Sequence, residues 1–256
     1  MNDALYIAAT GMQAQQQNVD TIANNLANVT TPGFKAGRVN FTDLVARDMQ
    51  RAQGALGSDS TRGAGVGVAF MARLASQGEL KRTEVPLDLA INGAGYIELS
   101  GPDGNALYSR GGSMLVNKDG LLTDAQGNPL KPSIHVGSDV RQLTIAADGR
   151  VMVRSGTQST ASEVGRIELA TFSDPTALTS LGNNLYQASE RSGEATSAMP
   201  GEQGGGTLVQ GALEASNVKL VDEMVNLMAA QRAYEMNVKV IQASDEMLGM
   251  SNNLRR

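Results

Sequence analysis

Apolar residues near the amino terminus recur in alternating steps of three and four: Leu5, Ala8, Met12, Val19, Ile22, Leu26 and Val29, with Gln15 as the one polar member. That spacing lays them along one narrow seam of a helix. Pro32 and Gly33 end the run, because a proline pushes the residue before it, Thr31, out of the helical region. The far end repeats the pattern. Leu220, Met224, Leu227, Gln231, Tyr234, Val238, Ile241, Asp245 and Leu248 form a second seam, with Val221, Val225 and Met228 as a further apolar row beside it. Ser216 or Asn217 is the expected N-cap. With no Pro or Gly before Gly249, the spacing predicts a helix over 216–249, about 50 Å long at 1.5 Å per residue. Its apolar surface is wider than one coiled-coil partner can cover.

The middle reads differently. Short apolar runs alternate with turn pairs, and Asp103-Gly104, Asp119-Gly120 and Asp148-Gly149 are hairpin signals. Strands are predicted at 87–91, 96–99, 143–145, 151–153 and 166–171. The expected fold class is therefore α+β: a discontinuous coiled-coil domain from the two terminal helices, with a mostly β outer domain inserted between them. The boundaries are 1–35 and 212–256 for the helical inner domain and 76–211 for the β domain. Residues 36–75 form an extended connecting region, in which the glycine-rich "AQGALGSDSTRGAGVGV" reads as flexible.

Charge and composition narrow the function. The 256 residues carry a net charge of -5 and no basic run beyond Arg255-Arg256, which argues against nucleic acid. Cysteine is absent and His135 is the single histidine, so thiolate or histidine metal clusters and cysteine nucleophiles are excluded. A serine triad would need His135, which falls in a predicted loop without an evident partner. "GAGVGV" (63–68) and "GAG" (93–95) lack the spacing of a phosphate loop. The neighbouring acids Asp222-Glu223 and Asp245-Glu246 point about 100° apart on a helix and cannot face one another. No catalytic, metal or cofactor site and no small-molecule substrate is expected. The amino terminus has no basic n-region, and no run reaches the ~20 apolar residues of a membrane span, so any export is expected to bypass a cleaved signal.

The first helix is dressed in amides. Residues 1–28 hold nine Asn or Gln, two Asp and no Lys or Arg. A solvated helix commonly spaces Glu and Lys for i,i+4 support. An amide face suits burial among like helices, where buried amides find hydrogen bonds, and such a segment can be loose alone and ordered once assembled.

Four stretches, in order, carry a resemblance: "IANNLANVTTPGFK" (22–35), "EVPLDLAINGAGYIEL" (84–99), "YSRGGSMLVNKDGLL" (108–122) and "SNVKLVDEMVNLMAAQRAYEMNVKVIQASDEML" (216–248). Together the chain resembles the bacterial flagellar rod and hook family. Its length and "LGNNLYQASERSG" (181–193) are most similar to the distal rod type, with proximal rod or hook as the alternative. A secreted β-rich fibre or adhesin subunit is the rival from outside the family. Tyr96, Gly111 and Gly249 depart from the family pattern, Gly249 by interrupting the last helical turn.

The resemblance implies a structural, non-enzymatic subunit of a helical tube that encloses the export channel and transmits motor torque to the hook. Implied partners are copies of itself, proximal rod proteins, the hook protein, the P-ring and L-ring bushing proteins and the flagellar type III export apparatus. The implied location is the basal body, in the rod that crosses the periplasm. Leu5, Met12, Val19, Ile22 and Leu26 would meet Leu220, Leu227, Tyr234, Val238 and Ile241 in self-assembly. Pro32 and Gly33 would turn the chain out of the inner domain.

Overall fold

The computed structural model describes residues 2–47, 61–137, 140–155, 161–202 and 204–253; residues 52–60 of the glycine-rich stretch and Arg255-Arg256 lie outside them. The chain divides into two units, one from Met1–Ala27, Gly37–Ala72 and Lys219–Arg256, the other from Asn28–Ala36 and Arg73–Val218.

In the first unit, helix α1 (Asn2–Ala27) follows the amino-terminal seam and gives way to a turn in which Thr31 N donates to Asn28 O at 3.1 Å. Strands β1 (Gly37–Arg47) and β2 (Thr61–Arg73) pair as a two-stranded sheet. The "GAGVGV" glycines, read above as flexible, therefore belong to a strand. The smallness of one of them, Gly65, is used for close approach to α1. A Cβ on Gly65, which has φ +108, would meet Thr10 Oγ1, and the next amide, Val66 N, donates to that same hydroxyl at 3.4 Å. Helix α2 spans Leu220–Asn253 and meets α1. It begins later than the expected 216, because Asn217 does not cap it and bonds other chain segments instead. It also runs through Gly249 without a break. An exposed glycine costs a helix only about 1 kcal/mol, too little to end one of this length.

The second unit is built on antiparallel β structure. Among the described residues its largest sheet has six strands, in the order Thr179–Gly182, Leu185–Gln187, Ala106–Ser109, Tyr96–Ser100, Leu169–Thr171 and Thr196–Ala198. Alternation along Tyr96–Ser100 sends Ile97 and Leu99 into an aliphatic core with Leu89, Ile91, Leu122 and Val151. Tyr96 faces the other way, into an aromatic cluster with Tyr108, Tyr186 and Phe172. The Tyr108 and Phe172 rings meet edge to face, with centroids 4.8 Å apart. All three Asp-Gly pairs sit at hairpin turns: between the strands ending at Ser100 and starting at Ala106, between Leu115–Val116 and Leu122–Thr123, and between Val140–Ile145 and Arg150–Ser155. The expected strand at 166–171 is in fact two elements. Arg166 closes the strand Ser162–Arg166, and a new strand opens at Leu169 in a different sheet.

Candidate functional site: an open apolar face and a buried ion triad

In the first unit the helices meet through small side chains. Ala8 and Ala14 of α1 are buried, as are Ala230 and Ser244 of α2. Gly11 faces Asn237 so closely that a Cβ would lie 3.0 Å from Nδ2. The covered row of α2 runs through Glu223, Leu227, Ala230, Asn237, Ile241, Ser244 and Leu248. The predicted seam shares Leu227, Val238, Ile241 and Leu248 with the covered face. The covered face is turned by about half a residue step, or ~50°, relative to that reading, toward Ala230 and Ser244, whose small side chains admit a close neighbour. Leu220 and Tyr234 stand exposed, while Leu227, Val238 and Ile241 are half-buried. On α1, Ile22 is buried and Leu5, Met12, Val19 and Leu26 are half-buried.

The rotation leaves a long apolar face open. Val221, Met224, Val225 and Met228 are 50–71% exposed, and Met236, Val240, Met247 and Met250 continue the apolar exposure toward the carboxyl end. Tyr6 and Ile7 of α1, and Phe41, Phe70 and Met71 of the β1–β2 sheet, are exposed as well.

The amides of α1 have a more local use than the sequence suggested. Asn25, 2% exposed, accepts from Gly37 N at 2.8 Å and donates to Gly37 O at 2.9 Å. A side-chain amide thus pairs like a strand neighbour and seats the start of β1 on α1. Its Nδ2 also lies 3.4 Å from Glu223 Oε1 on α2.

In the second unit Pro32 is exposed and Gly33 buried, the latter at φ +70. Just beyond them sits a group that the sequence reading did not assemble. Glu214 accepts from Lys35 Nζ on one carboxylate oxygen. Its other oxygen is bonded by Arg110 at 3.0 Å (Nη2) and 3.1 Å (Nε). The three side chains are 2–6% exposed. Such burial is tolerable because the polar atoms are matched: Lys35 Nζ also donates to Ser76 O at 2.8 Å, and Arg110 Nη1 donates to Gly93 O and Gly95 O at 2.9 and 2.7 Å. Burial holds the Lys35 ammonium below its ordinary pKa, against the opposing pull of the Glu214 hydrogen bond and charge. The partners lie 179 and 104 residues from one another in sequence, a separation that no local pattern reveals.

His135 is exposed, and no group of three or more His, Cys, Asp or Glu able to hold a metal occurs among the described residues. Terminal helices in contact, with apolar rows left facing outward, define a subunit made to meet further helices. Three family models match the chain: Flagella basal body rod protein over residues 5–35, Flagellar hook protein FlgE/F/G D1 domain over 90–153, and Flagellar basal body rod FlgEFG protein C-terminal over 209–254. The chain is 41% identical to the flagellar basal-body rod protein FlgG of Borreliella burgdorferi, over all of both chains. It is 41% identical to that of Caulobacter vibrioides, over 98% of this chain and 99% of the relative, and 35% identical to that of Bacillus subtilis, over 99% of each. The chain belongs to the flagellar basal-body rod protein family, among proteins that are structural components of the rod.

Proposed function

We propose that the chain is a structural subunit of the distal rod, whose copies assemble through the first unit into a helical tube around the export channel. The tube carries motor torque to the hook. The observation that carries this reading is the open face Val221, Met224, Val225 and Met228 on α2. Covering the exposed part of such side chains contributes roughly 1–2 kcal/mol each, and a helix destined for water would hold charges there. The α1–α2 contact is the core of a coiled-coil inner domain, and neighbouring copies complete the cover on Leu5, Met12, Val19, Leu26, Leu220, Leu227, Tyr234, Val238 and Ile241. The segment 36–75, with Phe41, Phe70 and Met71 turned outward, wedges against neighbours and stiffens the tube. In the basal body the rod meets proximal rod proteins and the hook protein at its ends and the P-ring and L-ring bushings around it. Subunits reach the periplasm through the flagellar type III apparatus.

The test is the double variant Met224→Glu/Val225→Glu in the full chain. It is expected to keep the circular dichroism of the wild type, to fail to polymerise, and to leave cells non-motile with basal bodies that lack the distal rod and all later parts. Normal rods in that strain would overturn the assignment of this face.

A further inference from the structure

The chain passes between its two units after residues 27, 36, 72 and 218. Within the second unit, the segments that lead to the last three of these junctions converge on two residues. Glu214 takes Gly33 N on its main-chain oxygen at 2.7 Å, and its carboxylate takes Lys35 Nζ and, at 2.9 Å, Gly78 N. Asn217 accepts from Ala36 N at 2.7 Å, donates its own N–H to Phe34 O at 3.3 Å, and sends Nδ2 to Leu74 O and Ser76 O at 2.9 and 3.0 Å. Most of the bonds that fix 33–36 and 74–78 therefore come from the returning carboxy-terminal segment.

We infer that Glu214 and Asn217 form a return clamp, which holds the 33–36 and 74–78 segments in place only once residues 212–217 have docked on the β unit. The strand Ala212–Glu214 pairs with Leu80–Arg82, and Ala215 N donates to Glu79 O at 2.8 Å. That docking places both clamp residues at once. The sequence separation gives the device its order. Lys35 and Gly33 emerge from synthesis far ahead of Glu214, and without it Lys35 lacks its counter-charge. A late-made segment thus locks an early one.

A clamp acts as one piece, and that distinguishes it from a set of separate hydrogen bonds. Breaking one half must loosen amides held by the other half. The experiment is amide hydrogen exchange on the full-length protein carrying Glu214→Gln or, in case the uncompensated Lys35 and Arg110 prevent folding, Asn217→Ala, which strands no charge. In Glu214→Gln the amides of Ala36 and Leu74, which do not touch Glu214, are expected to exchange about tenfold faster or more, the scale of losing a hydrogen bond to a charged group. In Asn217→Ala the same is expected of Gly33 and Gly78, which do not touch Asn217. Amides of the strand Tyr96–Ser100 stay unchanged in both. Acceleration confined to amides whose own partner was removed would overturn the clamp, and so would equal acceleration throughout the β core.

Discussion

Gly33 combines two constraints at one atom. Its φ of +70 disfavours any side chain, and a Cβ there would lie 2.7 Å from the Asn184 side chain. Asn184 cannot readily give way, since its Nδ2 donates to Gly111 O at 2.7 Å. Gly33→Ala is expected to destabilise the β unit by about 2–3 kcal/mol, from left-handed strain plus overpacking. In an Asn184→Gly background the added cost should drop to the strain alone, about 1–2 kcal/mol, as a double-mutant cycle in urea would measure. Tyr186 offers a test in pH. Burial, the main cause, pushes its phenol up to about 12 from 10.0. Below the unfolded value both states hold the proton. Between the two values only the folded state does, so stability is present below pH 10 and is lost as pH rises toward 12. The loss amounts to about 2–3 kcal/mol. Tyr186→Phe should flatten that part of the profile, leaving a smaller slope from Tyr96 and Tyr108, which burial also raises. Unfolding midpoints that fall just as steeply in the variant would show that Tyr186 is not the group responsible.

At the scale of elements, the seating of β2 on α1 turns on Gly65. Gly65→Ala forces a methyl group onto the Thr10 hydroxyl in a backbone conformation that alanine resists, so the strand must lift from the helix. Exchange at the Val66 amide should rise and the first unit should lose about 1–3 kcal/mol. Gly63→Ala, with nothing within 4 Å of the new methyl, should be nearly silent. Equal effects at the two positions would mean that flexibility, not contact, is what these glycines supply. The same stretch shows where the sequence was legible and where it was not. Period and turn chemistry are local, so both terminal helices and the three Asp-Gly hairpins could be read directly. Glycines in "GAGVGV" carry no such sign, because their role depends on a helix some fifty positions earlier. Asn217 misled for the same reason: a good cap residue by type, it is bound to Ala36, Leu74 and Ser76. The α2 seam was legible only in part, because periodicity finds apolar rows, whereas the most buried positions of α2, Ala230 and Ser244, carry small side chains that such a pattern passes over.

The whole molecule sets a well-filled β unit against a thinly filled helical one. Among the described residues the first unit buries the apolar side chains Ala8, Ala14, Ile22, Val39 and Ala230, whereas the second buries Leu89, Ile91, Ile97, Leu99, Leu122, Leu130 and many more. At about 25 cal/mol per Å² of apolar surface, methyl-sized side chains return little against the entropy of ordering two long helices. Isolated helices draw most of their stability from packing, and here the large apolar side chains that could supply it point outward. In dilute solution the monomer should therefore unfold in two steps on heating. The helical far-ultraviolet signal should be lost first, and the tyrosine signal of the Tyr96–Tyr108–Tyr186 cluster later. Amides of α1 and α2 should exchange about 100-fold faster than those of the Tyr96–Ser100 strand, equivalent to a local stability gap near 3 kcal/mol. Raising the protein concentration until it assembles should close that gap from the helical side alone, because association stabilises only the surfaces it covers. A single coincident transition, or helices as protected in the monomer as the sheet, would show that the first unit stands without neighbours and that the exposed apolar rows are not what completes it.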